Sequence, residues 1–400
     1  MKIGFSDGEK IGIFADGKKT VFSSRYIEKY KENAMRSAKN KEWKKNTDLM
    51  IEDGYYFDSP DETVIRAKVK CVSPTVEENK ILYAFSVNDT SGIYFKYTDD
   101  ENYTEAHYLS SSEYEFNSFS VQEDGKIIGA VQTDSICSNV AEFKDNGDFV
   151  FLTDGDSFDE NPSYDKEGNI LFNSYPVGRD ANNAFVTYLP SEICRFRKDT
   201  MQIEELIVDE KYSYIKPIED KDGNLYCIRK PGVEKNESNV FLEILLIPVR
   251  IVQAIVGFIS AFVMCFAKKP MVNGQSARSV GNGGDAAKNG ADMKKIWINN
   301  TLINVEKESK RNRKYAELGF IPKNWTLVRL QKNENGTFDG CREYELAFGV
   351  ADFDLKEENG GKYLIYTNGK RVIKLTDFGD HGKKEPLFDT DFCLRVNVLR

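Results

Sequence analysis

Histidine is scarce in this sequence, since only His107 and His381 occur among 400 residues. Neither stands at a spacing typical of a metal site or of a catalytic triad, and each is interpreted as a surface residue. The strings Gly-x-Ser-x-Gly and Gly-x-Gly-x-x-Gly and the P-loop motif are also absent. These absences argue against an α/β-hydrolase and against the common nucleotide-binding folds.

Closely spaced cysteines are lacking as well. The seven cysteines are Cys71, Cys137, Cys194, Cys227, Cys265, Cys341 and Cys393. No two of them have C-x-x-C spacing, which argues against a zinc site and against a thioredoxin-like redox site. The first ten residues lack the apolar core of a signal peptide, so we expect reduced thiols and a cytoplasmic location.

The chain also lacks an excess of positive charge. Its formal charge is −9 at pH 7, so nucleic acid is not an expected partner. The composition, 40% hydrophobic and 30% charged, is typical of a globular protein. The length suits one large all-β domain or two or three ordinary domains.

Short strand-like segments stand beside turn dipeptides such as Asp124-Gly125 throughout the chain. Such dipeptides supply the positive φ angles that tight hairpins require. Five of these segments are Lys80–Phe85, Lys126–Val131, Asn169–Ser174, Asn224–Ile228 and Lys362–Thr367. Their first residues are separated by 46, 43, 55 and 138 residues. A period of about 40–50 residues in an all-β chain is typical of propeller blades.

One of these units carries a family resemblance. The segment NPSYDKEGNILFNSYPVGRD, residues 161–180, resembles the repeat of TolB-like propellers, also described as WD40-like or PD40 repeats. The matching positions are Asn161, Pro162, Ser163, Gly168 and Ser174, whereas Asp165-Lys166-Glu167 replaces the Pro-Asp of the family pattern. The resemblance implies an all-β fold, a β-propeller of about six four-stranded antiparallel blades.

Two segments interrupt the pattern of strands and turns. Residues 24–46 are predicted to form a helix with Ser23 or Ser24 as its N-cap. Residues 240–324 form an insertion between the first blades, residues 1–239, and the final blades, residues 325–400. The insertion is predicted to contain an apolar helix (249–267), a Gly/Asn/Ser linker (272–292) and a basic patch (307–314). Strand-like sequence is predicted to resume at Trp325.

The apolar helix is long enough to cross a membrane. A single crossing conflicts with a ring closed by strands on both sides of the insertion, because the polar linker cannot cross back. We therefore expect the helix to lie in a membrane interface, with burial in a protein core or dimer interface as the alternative. The predicted membrane or partner contacts are Ile251, Ile255, Phe258, Phe262, Phe266, Lys268 and Lys269.

Acidic residues give the one candidate metal site. Asp154, Asp156 and Asp159 lie close together in the sequence, and carboxylates at this density could bind Ca²⁺, although acidic turns are also common in propellers. No other cofactor is expected. The sequence predicts a non-enzymatic platform for an unknown protein partner, tethered to an anionic membrane surface by the insertion. The alternative is a propeller hydrolase or lactonase with a central metal, whose scattered ligands one sequence cannot single out.

Overall fold

Turns divide the chain into short, mainly antiparallel strands. The computed structural model describes residues 1–45, 67–87, 90–98, 104–232, 295–314, 317–358, 361–378 and 382–399. The predicted apolar helix with its contact residues, the linker and His381 lie outside these ranges. The prediction of an all-β fold built from four-stranded antiparallel sheets is confirmed for the described residues.

Four of the sheets have four strands each. Sheet 1 contains β1 (Lys2–Asp7), β2 (Lys10–Ala15), β3 (Lys18–Phe22) and β27 (Val396–Leu399), in the order β27-β1-β2-β3. Sheet 2 contains β4 (Ala67–Pro74), β5 (Lys80–Val87), β6 (Thr90–Tyr97) and β7 (Glu105–Ser111). Sheet 4 contains β17 (Tyr212–Glu219), β18 (Leu225–Pro231), β21 (Thr326–Gln331) and β22 (Arg342–Phe348). Sheet 5 contains β23 (Asp352–Glu358), β24 (Gly361–Thr367), β25 (Gly369–Thr376) and β26 (Lys383–Cys393).

Sheet 3 has nine strands in two antiparallel groups. The first group is β8 (Glu115–Val121), β9 (Ile127–Gln132), β10 (Ser138–Phe143) and β11 (Phe149–Phe151). The second group is β12 (Ser157–Tyr164), β13 (Ile170–Arg179), β14 (Phe185–Tyr188), β15 (Glu192–Arg197) and β16 (Gln202–Ile207). One parallel pair, Ser138 with Phe158, joins the groups. The sheet is therefore two antiparallel units that are joined by one pair of residues.

The five strand segments predicted from the repeat lie in β5, β9, β13, β18 and β24. Each of these is the second strand of its antiparallel group. Gly168 and Gly223, in the turns before β13 and β18, both have φ +83°, a conformation that glycine adopts without steric cost. The repeat in the sequence thus marks an equivalent position in successive groups.

Neighbouring groups pack against each other in a closed cycle. Sheet 1 contacts sheet 2 through β1 and β27 against β4, and sheet 2 contacts sheet 3 through β4 and β8. Within sheet 3, β8 packs on β12, and β12 then packs on β17 of sheet 4. Sheet 5 completes the cycle, since β23 contacts both β17 and β27. The strands at the ring centre are therefore β4, β8, β12, β17, β23 and β27.

Helix α1 (Arg25–Lys45) is anchored to sheet 2 by its first turn. The Ser24 hydroxyl accepts a hydrogen bond from the Tyr26 N–H at 3.1 Å, and the Glu105 carboxylate accepts one from the Arg25 N–H at 2.9 Å. Glu105 also pairs with Lys96 at 3.2 Å, and both side chains are buried. Ser24 thus caps the helix as an N-cap serine does.

The end of the insertion contains regular structure that the sequence did not predict. A hairpin of β19 (Lys295–Ile298) and β20 (Thr301–Asn304) is followed by helix α2 (Val305–Arg313). Asn299 and Asn300 have φ values of 45° and 55°, the left-handed conformation that a two-residue hairpin turn requires. Strands therefore resume before Trp325. In the described ranges, no helix combines the length and apolar character needed to cross a membrane.

Candidate functional site

Four central strands carry a β-bulge where they face the ring centre. The bulges lie at Lys70 in β4, Asn117 in β8, Asn161-Pro162 in β12 and Lys216-Pro217 in β17. Bulges redirect side chains and occur next to binding sites. Proline fits here because these strands leave one edge largely unpaired, the single Phe158 pair of β12 excepted.

The bulges of β12 and β17 are linked to each other. Asn161 and Lys216 have φ values of 51° and 54°, a left-handed conformation that a lysine rarely adopts. The Asn173 side-chain oxygen accepts hydrogen bonds from the Asn161 amide at 2.9 Å and from the Lys216 N–H at 3.0 Å. The Asn173 side chain therefore holds both residues in their strained backbone conformations. Strained residues held in this way are common at functional sites.

A central cavity opens between the bulged strands. It has a volume of about 80 Å³ for water-sized molecules, it opens to solvent, and every central strand contributes to its wall. The lining includes Cys71, Asn161, Lys216, Asp352, Asp354 and Arg395. The wall is thus assembled from residues far apart in the sequence.

Asp352 anchors the charged residues on one side of the cavity. Its carboxylate is buried, accepts a hydrogen bond from the Lys216 ammonium at 2.7 Å and from the Val396 N–H at 2.8 Å, and lies 3.7 Å from the Arg395 guanidinium. The neighbouring Asp354 accepts a hydrogen bond from the Val398 N–H at 2.7 Å. Burial raises the pKa of Asp354 above the ordinary value of an aspartate.

Cations surround the buried carboxyl of Glu160 in a group that we call the central charged cluster: Lys68, Lys70, Glu115, Glu160 and Arg395, of which Arg395 lines the cavity. Lys70 and Glu115 form an ion pair at 2.6 Å. Burial raises the pKa of Glu160, and its Oε2 has no hydrogen-bond partner among the described residues. The Lys68 side chain reaches solvent but is enclosed by the ring. This enclosure, with repulsion from Lys70 and Arg395, lowers its pKa to about 7.

The hairpin tip covers a second buried lysine beside the cluster. The Lys230 ammonium donates hydrogen bonds to the Asn299 carbonyl and, at 2.8 Å, to the Thr301 hydroxyl. It also lies 5.3 Å from the ring centres of Tyr175 and Trp325. Burial lowers the pKa of Lys230 to about 7. The described end of the insertion is thus built into the protein beside the ring centre.

Asp154, Asp156 and Asp159, the three aspartates considered for calcium, do not form a metal site in the structure. Asp159 is buried and accepts hydrogen bonds from the hydroxyls of Thr153 (2.6 Å), Ser157 (2.9 Å) and Ser174 (2.7 Å). Asp156 pairs with Arg179, with 2.6 Å between Oδ1 and Nη2, and Asp154 is exposed. Within the described ranges, no three His, Cys, Asp or Glu side chains are placed to hold a metal ion. The contacts give Asp159 a role in stabilising its turn.

His107 lies on the outer strand β7, away from the ring centre. Its Nε2 is 3.1 Å from the Ser110 hydroxyl, and its ring packs edge-on against Tyr94 at 5.3 Å between ring centres. These contacts are those of a packed, partly exposed side chain.

The sequence analysis missed the residues at the ring centre. Lys68, Glu160, Lys216, Asp352 and Arg395 come from separate strands, and no motif connects them. One signal was available, because Asn161-Pro162 and Lys216-Pro217 occupy the same place in two aligned repeats. A proline inside a strand pattern indicates a bulge or an edge, which in a propeller is the strand at the centre.

Comparisons with known proteins find similar solved structures. No family model matches the sequence, and no curated protein matches it. TolB from Acinetobacter baumannii matches at 9% identity and a TM-score of 0.48, over 98% of this chain and 66% of that chain. The chain resembles TolB-like propellers. The resemblance predicted from the sequence is thereby confirmed, and it extends over most of the chain.

Two other similar structures are covered to very different extents. A protein from Lactobacillus plantarum matches at 9% identity and a TM-score of 0.42, over 99% of both chains. A puromycin hydrolase matches at 8% identity and a TM-score of 0.33, over 42% of this chain and 26% of its own length. The chain thus spans 66% of the A. baumannii TolB and about a quarter of the hydrolase. At such identities the likeness concerns the fold alone.

Proposed function

We propose that this TolB-like chain is a six-bladed propeller that works as a platform for a protein partner and not as an enzyme. The four four-stranded sheets and the two groups of sheet 3 support the count of six. The observation that carries the binding role is the ring centre, where residues of all the central strands line one cavity and the charged side chains of Lys216, Asp352, Asp354 and Arg395 are among them. Bulges and shared hydrogen bonds fix these side chains before any ligand arrives, which favours recognition.

The binding role can be tested by cross-linking the full chain in a lysate of its source organism. A partner that engages the ring centre should be recovered with the unchanged protein and at least tenfold less with Lys68→Glu, because the substitution reverses a charge of the central charged cluster. The matched control is Lys126→Glu, since Lys126 is an exposed lysine on a turn outside the ring centre. Equal recovery with both variants would contradict the proposal.

We further propose that the insertion tethers the platform to the cytoplasmic face of an anionic membrane. Residues 240–323 contain 13 Lys and Arg against 6 Asp and Glu, a net of +7, which leaves −16 for the rest of the chain. Each basic residue near an anionic bilayer contributes about 1 kcal/mol. On the hairpin, Trp297 and Leu302 form a cross-strand pair and are 52% and 44% exposed. An exposed tryptophan beside basic residues suits a membrane interface.

Vesicle flotation tests the tether. The full chain should float with vesicles that contain phosphatidylglycerol and not with phosphatidylcholine alone, and added salt should weaken the binding. A chain in which residues 249–292 are replaced by a short Gly-Ser linker should stay unbound, while its circular dichroism spectrum keeps the β form. The tether proposal is wrong if the shortened chain floats as well as the full chain.

A further inference from the structure

The hairpin β19–β20 has one face buried in the protein and one face exposed to solvent. Ile298 and Ile303 are buried in the hydrophobic core, at 5% and 2% exposure. Successive side chains of a strand point to opposite faces, so the opposed pair Trp297 and Leu302 lies on the outer face together with the exposed Lys295. The hairpin thus presents an aromatic, an aliphatic and a basic side chain to solvent from a base that is fixed in the core.

Helix α2 adds positive charge beside this outer face. Asn304 lies opposite Lys295 on the outer face, and its side-chain oxygen accepts a hydrogen bond from the Lys307 N–H at 2.9 Å, so the helix begins at this face. Residues 305–314 contain five Lys and Arg, all of them exposed, against two acidic residues, Glu306 and the buried Glu308. The segment therefore carries a net charge of +3 next to the exposed apolar pair.

The tip of the hairpin lies over one end of the ring. The Asn299 carbonyl accepts hydrogen bonds from the Tyr175 hydroxyl at 3.3 Å and from the Lys230 ammonium, and the Asn299 side-chain amide donates to the Ala351 carbonyl at 3.5 Å. Tyr175 and Lys230 stand opposite the second residues of β12 and β17, and Ala351 directly precedes β23. The tip therefore covers the end at which these three central strands begin, which we call the insertion end.

We infer that the outer face of the hairpin and helix α2 contact an anionic lipid surface, so that the insertion end of the ring faces the bilayer. Tryptophan favours the membrane interface, and basic side chains are attracted to anionic headgroups, so the two parts of this surface suit the same lipid. The inference rests on the proposed tether and adds which described residues contact lipid and how the ring is oriented. A partner then reaches the ring centre from the end that faces away from the bilayer.

Flotation of full-length variants with phosphatidylglycerol vesicles tests the apolar part of the contact. The double variant Trp297→Ser/Leu302→Ser should bind at least tenfold more weakly than the unchanged chain, because two large apolar side chains no longer leave water on binding. The matched control is Ile203→Ser/Val208→Ser, which removes two exposed apolar side chains on and next to β16 and should bind normally. Normal binding of the Trp297 and Leu302 variant would overturn the inference.

A second pair of variants tests the charged part of the contact. Lys307→Glu/Arg313→Glu changes the charge of residues 305–314 from +3 to −1 and should weaken binding at least tenfold at low salt. Added salt should reduce this difference, since salt screens exposed charges. Lys18→Glu/Lys126→Glu, at two exposed lysines outside the insertion, makes the same change of net charge and is the control. Equal losses in the two double variants would reduce the contact to an effect of overall charge and refute the inference.

Fluorescence quenching tests the orientation of the ring. In vesicles whose lipids carry bromine on their acyl chains, binding should quench Trp297, and Trp297→Phe should remove most of this quenching because Trp325 is buried at 2% exposure. Adding Lys126→Trp to the Trp297→Phe protein places a tryptophan in the turn after the central strand β8, at the opposite end of the ring. Its emission should stay unquenched, and quenching equal to that of Trp297 would overturn the orientation.

These measurements separate the inference from the tether on which it rests. A full chain that floats while Trp297 stays unquenched keeps the tether and refutes the lipid contact of the hairpin. A full chain that does not float refutes both proposals. If such a chain loses its cross-linked protein partner in the variant Trp297→Ser/Leu302→Ser, the surface binds a protein and not lipid.

Discussion

At the scale of single residues, Asp352 connects three parts of the ring centre. It stands on β23 of sheet 5 and accepts hydrogen bonds from Lys216 of sheet 4 and from the backbone of Val396 in sheet 1. The carboxylate is fully buried, so its charge is stable only because these donors surround it. Removing the charge would leave the Lys216 ammonium without its buried partner.

We expect Asp352→Asn to lower the free energy of unfolding by about 3 kcal/mol, the range found when one partner of a buried ion pair is lost. Urea unfolding followed by tryptophan fluorescence measures the change. Asp389→Asn is the control, because Asp389 pairs with Arg371 on the surface at 2.6 Å with its side chain 57% exposed. That variant should cost less than about 1 kcal/mol. Similar losses in the two variants would refute the role given to Asp352.

At the scale of elements, β27 joins the two ends of the described cycle of sheets. It pairs with β1 in sheet 1, with Lys2 opposite Leu399. Its Val396 and Val398 N–H groups donate to Asp352 and Asp354 of sheet 5. Strand β27 therefore completes sheet 1 and is also hydrogen-bonded to sheet 5.

Truncation after Arg395 should prevent stable folding. The truncated chain loses the burial of Val396, Val398 and Leu399, about 5–9 kcal/mol in all at 1.5–3 kcal/mol each. This is comparable with the total stability of a typical domain. Thermal melting and gel filtration measure the effect, with Val150→Ala, at a residue 49% exposed on β11, as a control that should melt normally. A truncated chain that melts with the full chain would show that closure does not depend on β27.

At the scale of the whole molecule, the strands of the sheets could be predicted from the sequence, whereas the residues at the ring centre could not. Polar, mostly acidic turns and the apolar strands that follow them are local signals, so β5, β9, β13, β18 and β24 could be placed from them. The hairpin β19–β20 was missed because its Asn299-Asn300 turn contains no glycine. The ring centre was missed for another reason, since Lys216, Asp352 and Arg395 are far apart in the sequence and come together only after every group has taken its place.

The pairing of β1 with β27 also fixes when the protein can finish folding. Ribosomes add about 5–20 residues per second, so β1 waits about 20–80 s for the strand that covers its free edge. During that time the exposed edge of β1 is open to other chains, as unpaired edges are in general. We therefore expect the nascent chain to depend on chaperones until β27 has left the ribosome.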